Sequence, residues 1–390
     1  MTEISAPRGR WAVAAMFLVN GFLTGSWAPQ IPVFLSRLEI SEFTLGLLIL
    51  VFGLGALAAM PWCGFLIHRH GSRAVLRVAA FACSFALLVV ALAGNVPVAA
   101  VAMFLFGALI GGMDVAMNAN AVAVEQRLKR AVMSSSHGFW SLGGFAGGAL
   151  GGLLISHYGH LAHAAVVTVI CFPVVVLAGR LLVSEPPHAE EAAKPPYRLP
   201  TRLAVYVTGV IALFSMVPEG AVLDWSALYL KQHFASDISV AGLAFAAFSA
   251  AMAAMRFLGD RVRNRFGAVA TLRGSSLIAA VGMLGAGLAP TDWLAIAAFA
   301  VAGLGIANTV PIAFSAAGNH EGVSAGAGLS TVTLMGYSGI LVAPSAIGFV
   351  GGQTGFSPVY VAVSGLLVVV FLLAGNARVA DFKAAPQPAE

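Results

Sequence analysis

The segment Ser184–Thr201, SEPPHAEEAAKPPYRLPT, is the one long polar stretch in a chain of 390 residues. It is rich in proline and charge, and six long apolar runs lie on each side of it. A helix that crosses a bilayer needs about 20 mostly apolar residues. The segment therefore predicts a cytoplasmic linker, residues 184–201, between two six-helix halves, residues 1–183 and 202–390, of an all-α polytopic membrane protein.

The composition of the whole chain supports this architecture. Charged residues make up 9% of the sequence and hydrophobic residues 59%. A soluble domain carries about 25% charged residues, so this chain has too few to cover a water-facing surface. The net charge of +5 is too small to indicate nucleic-acid binding. The three cysteines lie inside apolar runs without paired spacing, which indicates neither a disulfide framework nor a thiolate metal site.

Twelve apolar runs meet the length criterion. They are roughly 11–35, 43–66, 74–94, 97–126, 137–157, 162–183, 203–230, 239–260, 269–289, 292–316, 325–350 and 356–376. The first run lacks a small-residue cleavage site, so we expect an uncleaved span. With the N-terminus inside, only Arg37 and Lys231 of the 21 basic residues fall in outer loops. This bias predicts that both termini are cytoplasmic.

Two basic loops bounded by glycine mark corresponding places in the two halves. Residues 64–73, GFLIHRHGSR, close the second run, and residues 259–267, GDRVRNRFG, close the eighth. Glycine-rich stretches also recur in the fifth and eleventh runs. Weak similarity between two halves is typical of transporters built from parallel repeats.

This arrangement resembles the major facilitator superfamily over nearly the whole chain. The first loop matches the signature G-x-L-x-D-R-x-G-x-[RK] of that family at Gly64, Leu66, Arg69, Gly71 and Arg73. The resemblance implies that this loop takes part in a cytoplasmic gate. His68 stands where the signature has Asp, so it supplies no anion to the gate.

Three further stretches resemble fucose-permease-like bacterial members of the family. They are residues 114–120 (DVAMNAN), 136–143 (SHGFWSLG) and 219–226 (EGAVLDWS). This resemblance implies a monomer in the bacterial inner membrane that imports a small polar or sugar-like solute. It implies protons and the bilayer as further partners, and no cofactor, metal or nucleic acid.

Asp114, near the middle of the fourth run, is the first candidate for proton coupling. A charge at the centre of a membrane helix costs upward of about 2.5–3.5 kcal/mol, so an acid there indicates function. Asn118 follows on the same helix face, and Met117 lies beside it. Since the fourth helix lines the cavity in the family, we predict that these residues contact solute. The alternative is a neutral Asp114 bonded to a facing helix.

Glu219, in the seventh run, is the second candidate for proton coupling. Pro218 precedes it and predicts a break in the helix. Asp224 lies nearer the outer end, where it either serves a cavity or gate or is solvated at the interface. Trp225 either stacks on a solute ring or anchors the helix at the membrane surface.

Polar residues on the first and tenth runs complete the predicted cavity. Asn20, Thr24 and Trp27 form a stripe on one face of the first helix. Asn308 lies in the tenth run. Both asparagines suit either solute contact or bonding between helices.

Arg256 and Asp260 are four residues apart at the end of the eighth run, which predicts an internal ion pair or a gate element. His137 suits either a proton relay or a helix cap. His157, His160 and His163 have no acid or cysteine nearby and predict no metal site.

The stretch 143–152, GGFAGGALGG, allows two interpretations. It resembles the antiporter motif of drug exporters in the family, with Gly148 in place of the motif's proline. Small residues four apart also permit close helix packing in any membrane bundle, which is the interpretation that the missing proline favours.

The predicted function is secondary transport by alternating access, with proton-coupled import through Asp114 and Glu219. The alternative is proton-antiport export of amphipathic or drug-like compounds. The sequence has no Walker loop and none of the motifs of intramembrane hydrolases, so we predict that it is not an enzyme.

Overall fold

The computed structural model of the protein describes residues 6–128, 132–184, 200–321, 323 and 325–381, and all regular structure in these ranges is helical. The helices are α1 Ala6–Leu38, α2 Glu42–His70, α3 Ser72–Cys83, α4 Ala86–Leu92, α5 Val96–Leu128, α6 Met133–Arg180, α7 Leu203–Phe234, α8 Ile238–Phe266, α9 Ala268–Gly287, α10 Asp292–Ile306, α11 Thr309–Gly318, α12 Ala325–Thr354 and α13 Phe356–Leu373. A short 3-10 helix, Ala374–Ala380, follows α13. Most of the predicted linker, residues 185–199, lies outside the described ranges.

The predicted twelve membrane passes are confirmed. Eleven segments of the described ranges are long and apolar enough to cross a bilayer. The longest of them lies in α6, where Gly159 takes a non-helical conformation (φ 82°, ψ 169°) and divides the helix into two passes. The pairs α3 with α4 and α10 with α11 each form one interrupted pass. The protein is therefore an all-α, multi-pass membrane protein.

Four glycines with positive φ show the relation between the two halves. Gly71 and Gly267 (both φ 80°) join the second pass to the third and the eighth to the ninth. Gly159 (φ 82°) and Gly355 (φ 77°) join the fifth pass to the sixth and the eleventh to the twelfth. The same number of residues separates 71 from 267 and 159 from 355. Residues other than glycine rarely adopt a positive φ. The matching glycines therefore indicate that the same turns occur twice along the chain.

The two halves touch along α6 and α8, and α2, α7 and α12 add contacts at one end of the bundle. We call the end where Ser184 and Pro200 flank the central segment the linker end, and the opposite end the far end. At the far end, the Ser345 hydroxyl of α12 donates to the Gly46 carbonyl of α2 at 3.1 Å. Gln232 Nε2 of α7 donates to Glu42 Oε1 of α2 at 2.7 Å. These contacts close the far end between α2, α7 and α12.

At the linker end, α2 and α12 do not cover each other. Trp62 in α2 is 63% exposed, and Leu334 in α12 is 69% exposed. The described contacts between these two helices instead lie toward the far end, as at Gly53 with Leu341. Helices α2 and α12 are therefore closer together at the far end than at the linker end, where α6 and α8 still touch through the rings of Phe139 and Phe257, 6.0 Å apart.

Helix α7 is continuous where the sequence predicted a break. It runs from Leu203 to Phe234 with Pro218 inside it. Proline removes one backbone donor from a helix but does not always interrupt it in a membrane bundle, where neighbouring groups can take up the freed carbonyl. The predicted break before Glu219 is wrong.

The buried His320 at the linker end predicts an effect of pH on the stability of the protein. His320 Nε2 lies 2.8 Å from Thr208 Oγ1, which also accepts a bond of 2.7 Å from Asn376 Nδ2. Burial lowers the pKa of His320. Because the unfolded chain binds the proton more readily, stability is expected to fall as the pH drops below the ordinary histidine pKa of about 6.5.

The test is the melting temperature of the purified protein at pH 7.5 and 5.5. We expect His320→Gln to show a smaller drop than the wild type. His157→Gln, which alters an exposed histidine at the far end, is the control and should keep the wild-type drop. An equal drop in His320→Gln and the wild type would contradict the assignment.

Candidate functional site

Two acids lie at mid-depth in the bundle, on different halves. Asp114 is about 27 Å along α5 from the far end, and Glu219 is about 24 Å along α7 from the linker end, at 1.5 Å rise per residue. Both are partly exposed although neighbouring residues on the same helices are buried. The two predicted coupling acids therefore both lie near the middle of the bundle.

Asp114 is held by its own helix. Asn118 Nδ2 donates to the Asp114 carbonyl at 2.9 Å and to Asp114 Oδ1 at 3.2 Å. The predicted pairing of the two residues on one helix face is thus present. Met117, the third residue of this predicted group, is fully buried among neighbouring helices.

Glu219 has a basic partner from the neighbouring helix α8. Arg256 Nη2 lies 3.7 Å from Glu219 Oε2. Arg256 Nη1 also donates to the Ser141 hydroxyl of α6 at 2.7 Å, and its guanidinium lies 5.8 Å from the centre of the Trp140 ring. Arg256 therefore joins α8 to both an acid of its own half and a polar and aromatic surface of the other half.

The first helix continues this network. Trp140 Nε1 donates to Asn20 Oδ1 at 2.9 Å, and Asn20 Nδ2 donates to the Ile110 carbonyl at 3.4 Å, one turn before Asp114. Thr24 donates to the Asn20 carbonyl at 2.9 Å. Asn20 is buried and connects helices α1, α5 and α6, whereas the bond of the buried Thr24 stays within α1.

Tyr337 of α12 is a site residue that the sequence analysis missed. It lies close enough to both Asp114 and Glu219 to interact electrostatically with them. Its signal in the sequence was an aromatic residue between Gly336 and Gly339 in the glycine-rich eleventh run, where small residues favoured a packing role. With Tyr337, ionisable side chains of α5, α7, α8 and α12 lie near one another at mid-depth in the bundle.

A second contact between the halves lies nearer the far end. The indole of Trp27 in α1 lies near the carboxyl group of Asp224 in α7, where its N–H can interact with that group, and both side chains are buried. Asp224 is therefore not solvated at the membrane surface, and its contact with solute stays a prediction. The contact joins α1 to α7 while the far end is closed.

Trp27→Phe is expected to weaken closure of the far end. A hydrogen bond to a charged group contributes about 1.5–3 kcal/mol, which is enough to change a two-state population several-fold. Closure can be measured by cross-linking a Phe43→Cys, Phe349→Cys pair, whose rings lie 5.8 Å apart, in a background without native cysteines. We expect the yield to fall at least about fivefold. Trp293→Phe, at an exposed tryptophan, is the control, and an unchanged yield in Trp27→Phe would contradict this role.

Trp225 and Asn308 are buried between helices. Trp225 is fully buried and stacks on Phe356 with ring centres 5.2 Å apart, so it is not at the membrane surface. Asn308 is buried against Gly259 of α8. Contact of either residue with solute stays a prediction, and it requires another conformation.

The predicted gate residues lie at the linker end. Gly71 ends α2, and Arg73 Nη2 donates to the Arg180 carbonyl at the end of α6 at 3.1 Å. In the second half, Arg263 Nη2 donates to the Ala380 carbonyl at 2.6 Å. Each basic loop is thus fixed to the last helical turn of its own half. Gly64 and Arg69 are exposed, and the side chains of His68 and Asp260 lie outside the described part of the structure.

The remaining histidines do not form a cluster. His163 Nδ1 is bonded to Gln30 Nε2 at 2.8 Å, whereas His157 Nδ1 is bonded to the Leu153 carbonyl at 2.9 Å. His137 packs against the ring of Phe17 at 5.0 Å. Within the described ranges, no group of three His, Cys, Asp or Glu residues is placed to hold a metal ion.

Comparison with known proteins agrees with this architecture. The sequence profile of the Major Facilitator Superfamily matches residues 13–226 and 208–389. An uncharacterized MFS-type transporter of Yersinia pestis is 35% identical over 358 residues, which covers 91% of this chain and 92% of that protein.

Two solved structures share the fold. The nucleoside transporter NupG has a TM-score of 0.70 at 14% identity, covering 94% of this chain and 98% of that one. A D-xylose-proton symporter has a TM-score of 0.71 at 15% identity, covering 93% and 96%. With the profile match and the Yersinia pestis relative, they show that this chain belongs to the major facilitator superfamily.

Proposed function

We propose that the protein imports a small polar solute together with protons, by alternating exposure of one central site. The observation that carries this proposal is the group formed by Asp114, Glu219, Arg256 and Tyr337, which brings together four helices of both halves at mid-depth. Ionisable groups inside a membrane bundle are costly and typically mark the path of a solute or proton.

The orientation and the division of the chain belong to the same proposal. We place the linker end in the cytoplasm of a bacterium, with both termini there and the protein in the inner membrane as a monomer. The proposed halves are residues 1–183 and 202–390. In this orientation the contacts of α2 with α7 and α12 close the outer end.

Protons offer a physical basis for coupling. Protonation neutralises an acid and lowers the cost of enclosing it while both ends are closed. Asp114 is the proposed coupling acid because its described hydrogen-bond partner is the neutral amide of Asn118. Glu219, which has Arg256 as a counter-ion, is the second.

Export of an amphipathic compound is less well supported. The glycines of the exporter-like stretch in α6 lie against other helices: Gly147 against Phe22 of α1, and Gly148 against Gly242 of α8. Their contacts account for the small residues by packing. The names of the solved neighbours also favour a polar solute, since one is a nucleoside transporter and one a D-xylose-proton symporter.

Counterflow in proteoliposomes tests whether the protein is a carrier. The probes are radiolabelled D-xylose, L-fucose, uridine and D-gluconate, each with the unlabelled compound trapped inside. We expect unlabelled solute inside to accelerate entry of the label for at least one probe, because a carrier returns faster when loaded. Flux that only follows the gradient, without acceleration, would indicate a channel and contradict alternating access.

A further inference from the structure

We propose that the transported solute is a small hydroxylated carboxylate, such as a sugar acid, and that its carboxylate binds Arg256. This inference rests on the proposed function, since it assigns the substrate class of the same central site. The sequence alone suggested a gate or ion-pair role for Arg256. The structure instead places its guanidinium between Glu219 of its own half and Ser141 of the other half.

Arg256 is held in place by two residues of α6. Nη1 is fixed by the Ser141 hydroxyl at 2.7 Å, and the guanidinium lies 5.8 Å from the Trp140 ring centre. An arginine near an aromatic ring with one donor anchored has lost much of its side-chain freedom in advance. Little further ordering is needed when a ligand binds its other N–H groups.

Glu219 is too far from Arg256 to form a close charge-assisted hydrogen bond. Its Oε2 is 3.7 Å from Arg256 Nη2, whereas charge-assisted hydrogen bonds measure about 2.7–2.9 Å. A guanidinium offers five N–H donors in a planar fork that matches a carboxylate. The ion pair with Glu219 therefore does not occupy all the N–H donors of the Arg256 guanidinium. A solute carboxylate that binds two N–H groups at once is a stronger partner.

The side chains of Arg256 and Glu219 are partly accessible. The side chains of Arg256 and Glu219 are 16% and 22% exposed, although both lie at mid-depth in the bundle. A solute that enters the space between the halves can reach both. Glu219 then acts as an internal competitor that occupies Arg256 while the site is empty.

The rest of the site suits hydroxyl groups and a proton. Glu219 of α7 and His137 of α6 lie near Arg256, and Tyr337 of α12 lies near both Glu219 and Asp114 of α5. Carboxylates, the phenol and the Asn118 amide are partners for several hydroxyls. The two acids oppose an anion, and a proton on Asp114 removes one of these charges, so an anion and a proton favour each other's binding.

The test compares two probes that differ in one group. D-gluconate and D-sorbitol have the same six-carbon hydroxylated chain, but only gluconate has a carboxylate. We measure the melting temperature of the purified full-length protein with each probe at constant ionic strength. Gluconate is expected to raise it by a saturable amount, and sorbitol to leave it unchanged.

Variants then locate the site. Arg256→Gln is expected to weaken gluconate binding at least about tenfold, and Arg256→Lys by less because it keeps the charge without the fork. Glu219→Gln should bind gluconate more tightly, since the competitor is gone. Arg261→Gln, at an exposed arginine of the same helix, is the matched control and should bind as the wild type does.

Three results would overturn the inference: no stabilisation by gluconate, equal stabilisation by sorbitol, or weaker binding in Glu219→Gln. The result with Glu219→Gln does not depend on whether the arginine variants fold. Gluconate binding without counterflow of any solute would contradict the proposed function and leave the carboxylate site intact. Counterflow of D-xylose without gluconate binding would contradict the carboxylate site and leave the proposed function intact.

Discussion

Asp114→Asn is expected to abolish accumulation of solute against its gradient. The asparagine keeps the shape of the side chain and can still bond to Asn118, but it cannot take up a proton. Uptake driven by an inward proton gradient should fall to the level of equilibration. Exchange of labelled for unlabelled solute at equal concentrations should persist, because the loaded carrier still changes conformation.

Asp237→Asn is the matched control for this variant. Asp237 is exposed at the start of α8 and makes no side-chain capping bond, so its replacement should leave accumulation unchanged. Proton-driven accumulation at the wild-type rate in Asp114→Asn would show that Asp114 is not the coupling acid. If Glu219→Gln alone loses accumulation, the proposed order of the two acids is reversed.

Gly147→Leu and Gly148→Leu are expected to fail in different ways, although the two glycines are neighbours in α6. A Cβ at Gly147 would lie 2.4 Å from the Phe22 carbonyl of α1, in the same half of the protein. Backbone cannot move aside as a side chain can, and overpacking costs at least about 1–3 kcal/mol. We therefore expect Gly147→Leu to give little folded protein.

A Cβ at Gly148 would lie 3.2 Å from the Gly242 carbonyl of α8, in the other half. Leucine there should fold within its own half but disturb the contact of α6 with α8. We expect near-normal yield and monodispersity on size-exclusion chromatography, with solute exchange reduced at least about tenfold. Equal yields of both variants, or normal exchange by Gly148→Leu, would contradict this division of the glycine stretch.

The membrane passes could be predicted from the sequence because burial in lipid demands length and apolarity, and both can be counted. The turn at Gly71 was part of a recognised loop, and its positive φ explains the glycine. The pairing of Asp114 with Asn118 was also predictable, since residues four apart share a helix face.

Partners on different helices could not be predicted in the same way. The contacts of Arg256 with Glu219 and of Trp27 with Asp224 join residues far apart in the chain. In a membrane bundle the lipid-facing and protein-facing sides of a helix are both apolar, so hydrophobic periodicity does not show which face points inward. Tyr337 was missed for this reason.

The most direct test of proton-coupled transport is solute-driven proton movement in proteoliposomes that contain a trapped pH-sensitive dye. D-xylose, L-fucose, uridine and D-gluconate are added outside in turn, with no proton gradient imposed. We predict internal acidification with the solute that the wild type carries, and none with Asp114→Asn. Entry of a labelled solute into wild-type vesicles without any change of internal pH would contradict the account.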